Sequence, residues 1–415
     1  MSLLPTLRHL SRRLPVGPIV LHRLRRAAAV GFRISAWAKF GRARNPVAPR
    51  QGPVCVVGFH GSVLGIGEAA RAFAAALRLA GGEVVEWDIS ARFGHEVRLD
   101  STAPVTPPVD AAAVVIFLNP NELVQLVAME GATPFVGRFS VGAWFWELER
   151  APNSWRHALR YVDEIWAGSR FTAEALEALG RTPPVRVMPC PVTAPKAQAK
   201  RATFGLPMDK VVVLNAFDAR SGFTRKNPIA AVRAFRKANR TGRAVMVCKA
   251  AGVEGAPEQV AALRAEIGAA PDVRLMTDWL TGRQMQALVA SSDIILSLHR
   301  SEGFGLSPAQ AMAAGKVVVA TGWSANLDFM SPANSRLVDY TLVPVRDPQG
   351  LYDSGRWAEP DIDDATAKLE ALIEDSALRA ALGARAAADI RAQLNPLTLG
   401  RMALGWLEGA TDHGC

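Results

Sequence analysis

Short unbroken apolar runs alternate with longer amphipathic segments from residue 51 onward. Val54 to Gly58, Glu83 to Asp88, Val114 to Leu118, Val141 to Trp146 and Glu164 to Ala167 read as buried strands. Glu68 to Ala80 has helical spacing and stops at Gly81-Gly82, and Phe171 to Leu179 reads as a further helix. Ser154 predicts a cap for a helix from Trp155 to Tyr161. A second series follows, with strands at Val211 to Asn215, Ala244 to Lys249, Val273 to Met276, Ile294 to Leu298 and Lys316 to Ala320. Asn227-Pro228 opens a helix to Ala238, and an Ala-rich helical pattern runs from Asp363 to Glu408 with a break at Pro396. Strands that read as continuous apolar runs are covered on both faces, so these β-α repeats predict an α/β protein with parallel, doubly wound sheets.

The proline-rich stretch Met188 to Lys196 has no periodicity and reads as a linker. With 415 residues the chain exceeds one ordinary core. The expected division is an arm over 1–50, an N-terminal Rossmann-like domain over 51–190, a linker over 191–208 and a C-terminal Rossmann-like domain over 209–390. Residues 391–415 are expected to form a C-terminal helix that is free to cross back to the N-terminal domain.

Charge changes this picture at one end only. Of the 48 basic residues, eleven lie in residues 1–50, which hold no Asp or Glu; the remainder carries 37 basic against 38 acidic. Between those cations lie Leu3, Leu4, Leu7, Leu10, Leu14, Ile19, Val20, Leu21 and Leu24. A basic, leucine-rich, acid-free arm reads as a binder of an anionic membrane surface, acting apart from the main body. The competing readings are a solvated tail with a few leucines docked, and a nucleic-acid arm, which the leucines disfavour. Arg12, Arg13, Arg23, Arg25 and Arg26 interrupt any signal-peptide core, and no run is long enough for a spanning helix. Cys55, Cys190, Cys248 and Cys415 show neither metal-ligand spacing nor a disulfide framework, and a reducing cytoplasm suits them.

The most informative segment follows the strand Ile294 to Leu298. In Ser301-Glu302-Gly303-Phe304-Gly305-Leu306-Ser307-Pro308, a carboxylate and two glycines sit where a strand hands over to a helix. Ser307 suits the cap, Pro308 the first helical position and Gly315 the end. Amides at a helix start and close-approaching glycines are a natural phosphate site. Together with Ala311-Met312-Ala313-Ala314-Gly315-Lys316, this segment resembles the donor-site signature of family-4 (group 1) retaining glycosyltransferases of the GT-B fold. That signature has two glutamates eight positions apart; the first is Glu302, but Gln310 takes the second place. The resemblance implies two Rossmann-like domains facing a cleft. It also implies that Glu302 grips the sugar and that Gly303, Phe304, Gly305 and Leu306 hold phosphate. Gln310 is left with two readings, contact with the ribose, or a capping box with Ser307.

Further residues fit this chemistry. Arg220 to Pro228 follows the strand at Val211, where ligands of open α/β sheets bind. It is similar to the family's basic loop, with Lys226 matching and either Arg220 or Arg225 as the second cation. In Gly58 to Glu68, the glycine-rich loop and Gly65, Ile66 and Gly67 resemble the part that meets the donor from the N-terminal domain. The same loop, with Asp88 some 20 residues on, also meets a relaxed dinucleotide fingerprint, which makes an NAD-dependent oxidoreductase a rival. After the strand ending in Trp144-Phe145-Trp146, Glu147 stands where the family places a catalytic or sugar-contacting group; the alternative is that Glu147 and Glu149 pair with arginines. His157 and His299 read as structural. Asp361-Ile362-Asp363 reads as a helix cap, so no metal and no cofactor are expected.

Taken together, the resemblance implies an enzyme with Glu302, Lys226 and Glu147 as its catalytic groups. It would move a sugar from a nucleotide diphosphate sugar to a glycan or lipid-linked hydroxyl acceptor in bacterial exopolysaccharide or lipopolysaccharide assembly. It would work at the cytoplasmic face of the cell membrane, without nucleic acid. A non-catalytic GT-B scaffold that binds nucleotide or glycan is the alternative outside enzymes.

Overall fold

The computed structural model describes residues 18–40, 47–99, 103–107, 110–195 and 197–409. Leu3 to Leu14, Arg12, Arg13, Lys196 and Cys415 lie outside the described residues. The chain forms two compact units. One holds residues up to Trp146, then Arg150–Pro191 and Pro396 onward; the other holds Glu147–Glu149 and Val192–Asn395.

The first unit is a parallel sheet of β1 (Val54–Gly58), β2 (Val84–Asp88), β3 (Ala113–Ile116), β4 (Phe139–Trp144), β5 (Glu164–Ala167) and β6 (Val185–Val187), in the order β2-β1-β3-β4-β5-β6. The order reverses between β1 and β3, so the loops after these strands diverge and leave a crevice. Helices Gly65–Leu79, Pro120–Glu130 and Arg170–Glu177 cover it. The last helix, Pro396–Leu407, packs on Gly65–Leu79. Gly400 lies so close to Ala76 that an added Cβ would sit 2.1 Å from its carbonyl oxygen. Trp406 meets Trp166 edge-on at 5.7 Å, with the Arg186 guanidinium 4.8 Å from its ring centroid.

The second unit is also parallel, with β7 (Val211–Asp218), β8 (Ala244–Ala251), β9 (Val273–Met276), β10 (Ile294–Ser297), β11 (Val317–Thr321) and β12 (Arg336–Val338) in the order β12-β11-β10-β7-β8-β9. Here the reversal falls between β7 and β10. A hairpin of β13 (Tyr340–Pro344) and β14 (Arg356–Pro360), absent from the sequence reading, is added outside the sheet. Cys55 and Cys248 are buried in β1 and β8, and burial pushes both thiols up to about 12. They serve as packing groups.

Two local expectations need correction. The segment Trp155 to Tyr161 is not an α-helix but two 3₁₀ turns, Asn153–His157 and Leu159–Tyr161, with Pro152 rather than Ser154 at the cap. Trp155, Ala158 and Tyr161 all face the core, at 2, 0 and 2% exposed. A spacing of three is aligned on one face only by the threefold turn. The C-terminal helical run also breaks at Asp375, whose carboxylate accepts from Leu378 N to cap Ser376–Gln393.

The arm is joined to the body where it is described. Pro18–Phe40 is one helix. Ala36 is fully buried, the Phe40 ring meets Tyr161 edge-on at 4.9 Å, and Lys39 Nζ donates to the Ala128 carbonyl. A chain starting at Gln51 therefore bares part of the first unit's core, and the expectation of an independent arm fails for this stretch.

Gly400→Ala is expected to destabilise the protein by roughly 1–3 kcal/mol, because the backbone opposite cannot yield. Gly31→Ala, with no atom within 4 Å of its Cβ, is expected to stabilise by about 0.5–1 kcal/mol through helix propensity. Urea unfolding followed by circular dichroism checks the opposite signs.

Candidate functional site

At the strand-order reversal of the second unit, the loop after β7 meets the loop after β10. The first loop is pinned by Gln349, whose Oε1 accepts from Phe223 N at 2.6 Å and whose Nε2 donates to the Ala219 carbonyl at 2.9 Å. A single short helix, Phe223–Lys226, then presents Arg225 and Lys226 side by side. Asn227 leaves it in the left-handed region at φ 51, which asparagine tolerates, and Pro228 starts the next helix.

Glu302 comes from the second loop. Its Oε1 lies 2.6 Å from Lys226 Nζ and its Oε2 3.2 Å from Arg225 Nη1. Arg225 is buried; Nη1 also donates to the Ser301 carbonyl at 2.8 Å and Nη2 to the Ser221 carbonyl at 2.7 Å. Burial of Glu302 alone would raise its pKa, but Lys226 and Arg225 overcome that and hold the carboxyl at about 2. Burial likewise opposes the Arg225 charge, and Tyr352, Glu302 and Glu147 outweigh it, so its pKa ends raised. Glu302 and Arg225 are thus held in the charged form, while burial pulls the Lys226 pKa down.

The backbone of Glu302 is fixed as firmly as its side chain. Its N–H donates to Ser324 Oγ at 2.8 Å. Ser324 adopts φ 75, a costly conformation for a residue with a side chain, and a strained backbone beside a charged cluster is characteristic of functional loops. Arg300 braces the same loop, donating to Glu359 at 2.6 and 2.7 Å and to the Thr224 carbonyl at 2.6 Å.

The helix after the motif is Leu306–Ala313, and its cap is Gly305, not Ser307. Gly305 takes φ 92. That left-handed backbone strains any residue with a side chain, so glycine suits the position, although Asn326 and Phe329 would meet an added Cβ only at ordinary contact distance. With Ser307 inside the helix, Gln310 is a full turn from the cap N–H, and the capping-box reading falls. Gly315, at φ 71, ends the helix as expected.

Other candidates sort clearly. Arg220 pairs with Asp218 at 2.7 Å. Glu147 lies 3.7 Å from Arg225 Nη2, and Glu149 pairs with Arg356 at 3.0 Å. Trp144 is buried, as core packing requires. His299 accepts from Ser297 Oγ on Nδ1 at 3.1 Å and donates from Nε2 to Asn326 Oδ1 at 3.1 Å; that amide's orientation is set by its Nδ2 donating to the Thr321 carbonyl. Burial lowers its pKa, so it is a neutral structural group. Asp361 caps Ile362–Glu374 by accepting from Asp363 N and Asp364 N. Tyr352 was not found from sequence. It is buried, and its hydroxyl, raised well above its ordinary pKa by burial, is hydrogen-bonded to Glu147. No local pattern links two residues so far apart in the chain.

In the first unit, Gly65, Ile66 and Gly67 open the helix Gly65–Leu79. Gly65 faces open space, whereas a Cβ on Gly67 would lie 2.4 Å from the Phe59 carbonyl oxygen. Arg71 Nη1 donates to the carbonyls of Phe59, His60 and Ser62 and gathers the loop. Asp88 is spent on the same loop. Its Oδ2 accepts from Gly61 N at 3.1 Å and its Oδ1 from Ser90 N and Oγ at 2.9 and 2.6 Å. A ribose-binding carboxylate would need those oxygens free, so the dinucleotide fingerprint has lost its acidic member.

Residues 219–357, which contain the Arg225–Lys226–Glu302 cluster, match the family model described as Glycosyl transferases group 1. Over this stretch the chain is similar to group 1 glycosyltransferases. Among curated proteins, no sequence matches the chain. Among solved structures it is similar to Anabaena HepE in complex with UDP and glucose (TM-score 0.63, 14% identity, 86% of this chain and 99% of that one). It is also similar to sucrose-phosphate synthase from Thermosynechococcus elongatus (TM-score 0.62, 15% identity, 86% and 98%). A third is WaaG, a glycosyltransferase involved in lipopolysaccharide biosynthesis (TM-score 0.59, 13% identity, 86% and 99%). At such identities the likeness is one of fold, and the fold is GT-B.

Glu302→Gln is expected to destabilise the protein by a few kcal/mol at pH 7, since it removes the counter-charge of two cations. Because the folded pKa of Glu302 is depressed, its contribution is complete above about 4.5 and is lost as pH falls toward about 2. The gap between variant and parent in urea midpoint should therefore hold from pH 7 to about pH 5 and shrink from there toward about pH 3, and a gap that widens on acidification would remove Glu302 as its source.

Proposed function

We propose that this protein is a retaining, metal-independent glycosyltransferase that moves a sugar from a nucleotide diphosphate sugar to a hydroxyl of a lipid-linked glycan. The acceptor belongs to envelope or exopolysaccharide assembly, and the protein works peripherally at the cytoplasmic face of the membrane. The observation that carries this reading is the convergence of Arg225, Lys226 and Glu302 at the strand-order reversal. A nucleoside diphosphate gathers negative charge as it leaves, and two fixed cations lower the cost of that charge without further reorganisation. They supply the positive charge that a divalent ion would otherwise bring. Glu302, anchored through its backbone, presents acceptor oxygens to the sugar hydroxyls once a diphosphate competes for its cations. Amides at the start of Leu306–Ala313 and the glycines before it receive phosphate oxygens. Retention then follows if the acceptor hydroxyl attacks on the leaving-group face and the departing phosphate takes its proton. UDP-sugars are the first donors to test, since the Anabaena neighbour was solved with UDP and glucose.

Lys226→Ala is expected to cut kcat by roughly 10²-fold, the scale of losing one preorganised charge donor. A rise in KM with unchanged kcat would instead assign it to uniform binding. Transfer should survive a chelator; loss of activity in it, restored by a divalent ion, overturns the metal-independent mechanism. Binding of UDP-sugars without turnover of any donor would make the chain a scaffold.

Gln310 is assigned to the ribose. Gln310→Ala should raise donor KM several-fold with little change in stability, and Gln310→Glu should retain activity. A folded but inactive Gln310→Glu enzyme contradicts the assignment.

A further inference from the structure

The helix Pro18–Phe40 and the two 3₁₀ turns enclose a recess of about 370 Å³ on the first unit, outside everything used above. Its polar wall is Arg33, Arg156, His157 and Arg160. Arg33 Nη1 donates to His157 Nε2 at 2.9 Å, so that nitrogen carries no proton. Burial lowers the His157 pKa, and Arg33 and Arg160 lower it further. Elsewhere in this unit arginines meet carboxylates, as in Arg78–Glu86, Arg92–Glu130 and Arg186–Glu164. Among the described residues no ion pair joins Arg33, Arg156 or Arg160 to an acid. Three guanidinium groups around one recess repel each other, and an anion with several acceptor oxygens relieves them.

The same helix shows an unpartnered apolar stripe beside this charge. Val30, Ile34 and Trp37, spaced four and three apart, lie on one face and are 45, 63 and 46% exposed. Ile34 and Trp37 also line the recess. An aliphatic and tryptophan stripe bordered by arginines is suited to the boundary between lipid headgroups and acyl chains.

We propose that this recess is a binding site for the headgroup phosphate of an anionic phospholipid, with Val30, Ile34 and Trp37 seated at the acyl boundary. The inference deepens the peripheral-membrane part of the proposed function and does not depend on the transfer chemistry. It fixes the seat on the folded body, beyond the arginine-rich segment that precedes it. Arg33 also ties the helix to His157 of the 3₁₀ turns, so lipid binding and the packing of that helix support each other.

The test is sedimentation of the full chain with vesicles of phosphatidylcholine containing about one-third phosphatidylglycerol, in about 0.1 M salt and without donor. The double variant Arg156→Ser, Arg160→Ser changes two exposed side chains and should bind roughly 10- to 30-fold more weakly, since each basic residue near such a surface contributes roughly three- to fivefold. Arg156→Lys, Arg160→Lys should restore most of the binding, which separates charge from misfolding. Trp37 should be quenched by brominated acyl chains, and Trp37→Ser should lose that component. Glycerol phosphate at millimolar concentration should not displace the protein. Equal binding by the double Ser variant overturns the proposal, as does equal binding to pure phosphatidylcholine. Displacement by glycerol phosphate would make the recess a small-anion site and would also overturn it. Transfer to a soluble acceptor is measured in parallel. Its loss with vesicle binding intact would count against the proposed enzyme, and its survival with vesicle binding unchanged in the variant would count against the lipid site.

Discussion

A carboxylate held between two cations organises the second unit. Glu302 is almost out of contact with water, and Arg225 is more deeply buried still. Neither charge would persist there alone, because the loss of hydration costs more than any single contact returns. Together they are stable, and each neighbouring feature keeps them together. The parallel order reverses between β7 and β10, so two strand-end loops diverge from adjacent strands and then meet. Gln349 fixes one loop and Ser324 with Arg300 fixes the other. The unusual φ of Ser324 is the local cost of aiming the Glu302 backbone inward.

Much of the fold was legible because buried parallel strands write themselves as unbroken apolar runs. Val54–Gly58 has the bounds its sequence predicts for this reason, and Glu164–Ala167 and Val273–Met276 keep theirs although each carries one charged residue. Helix punctuation was legible where one residue has one use, as at Pro228 and Gly315. It failed where two signals competed. Ser307 and Pro308 read as a cap and a first turn, but the chain enters the helix through a left-handed residue, which Gly305 takes without strain. Ser154 as a cap predicts an α-helix over Trp155 to Tyr161, whereas the buried Trp155, Ala158 and Tyr161 stand three apart, as 3₁₀ turns place them.

The site divided in the same way. Lys226 and Glu302 carried local context, a strand before them and a helix start beside or after them. The choice between Arg220 and Arg225 did not, because both sit in one basic loop and only the three-dimensional course of the chain shows that Asp218 takes the first. Tyr352 and its bond to Glu147 were beyond sequence reasoning, since each lies in a segment without periodicity and the two are brought together only by folding. The dinucleotide-like glycines failed for the opposite reason. Gly67 exists for close helix–strand packing and Asp88 for holding a loop, and both requirements generate the same letters as a nucleotide site.

The last helix has a consequence for how the chain is made. Residues 396–407 complete the core of the first unit, where Gly400 lies against Ala76 and Trp406 against Trp166. Every residue of 192–395 is synthesised before them. The first unit therefore cannot close before the second has been synthesised, contrary to the usual order of N-terminal domain first. The second unit has all its strands while the first still shows an open flank of Ala76, Ala80 and Trp166, and this flank must be shielded on the nascent chain until the closing helix leaves the ribosome.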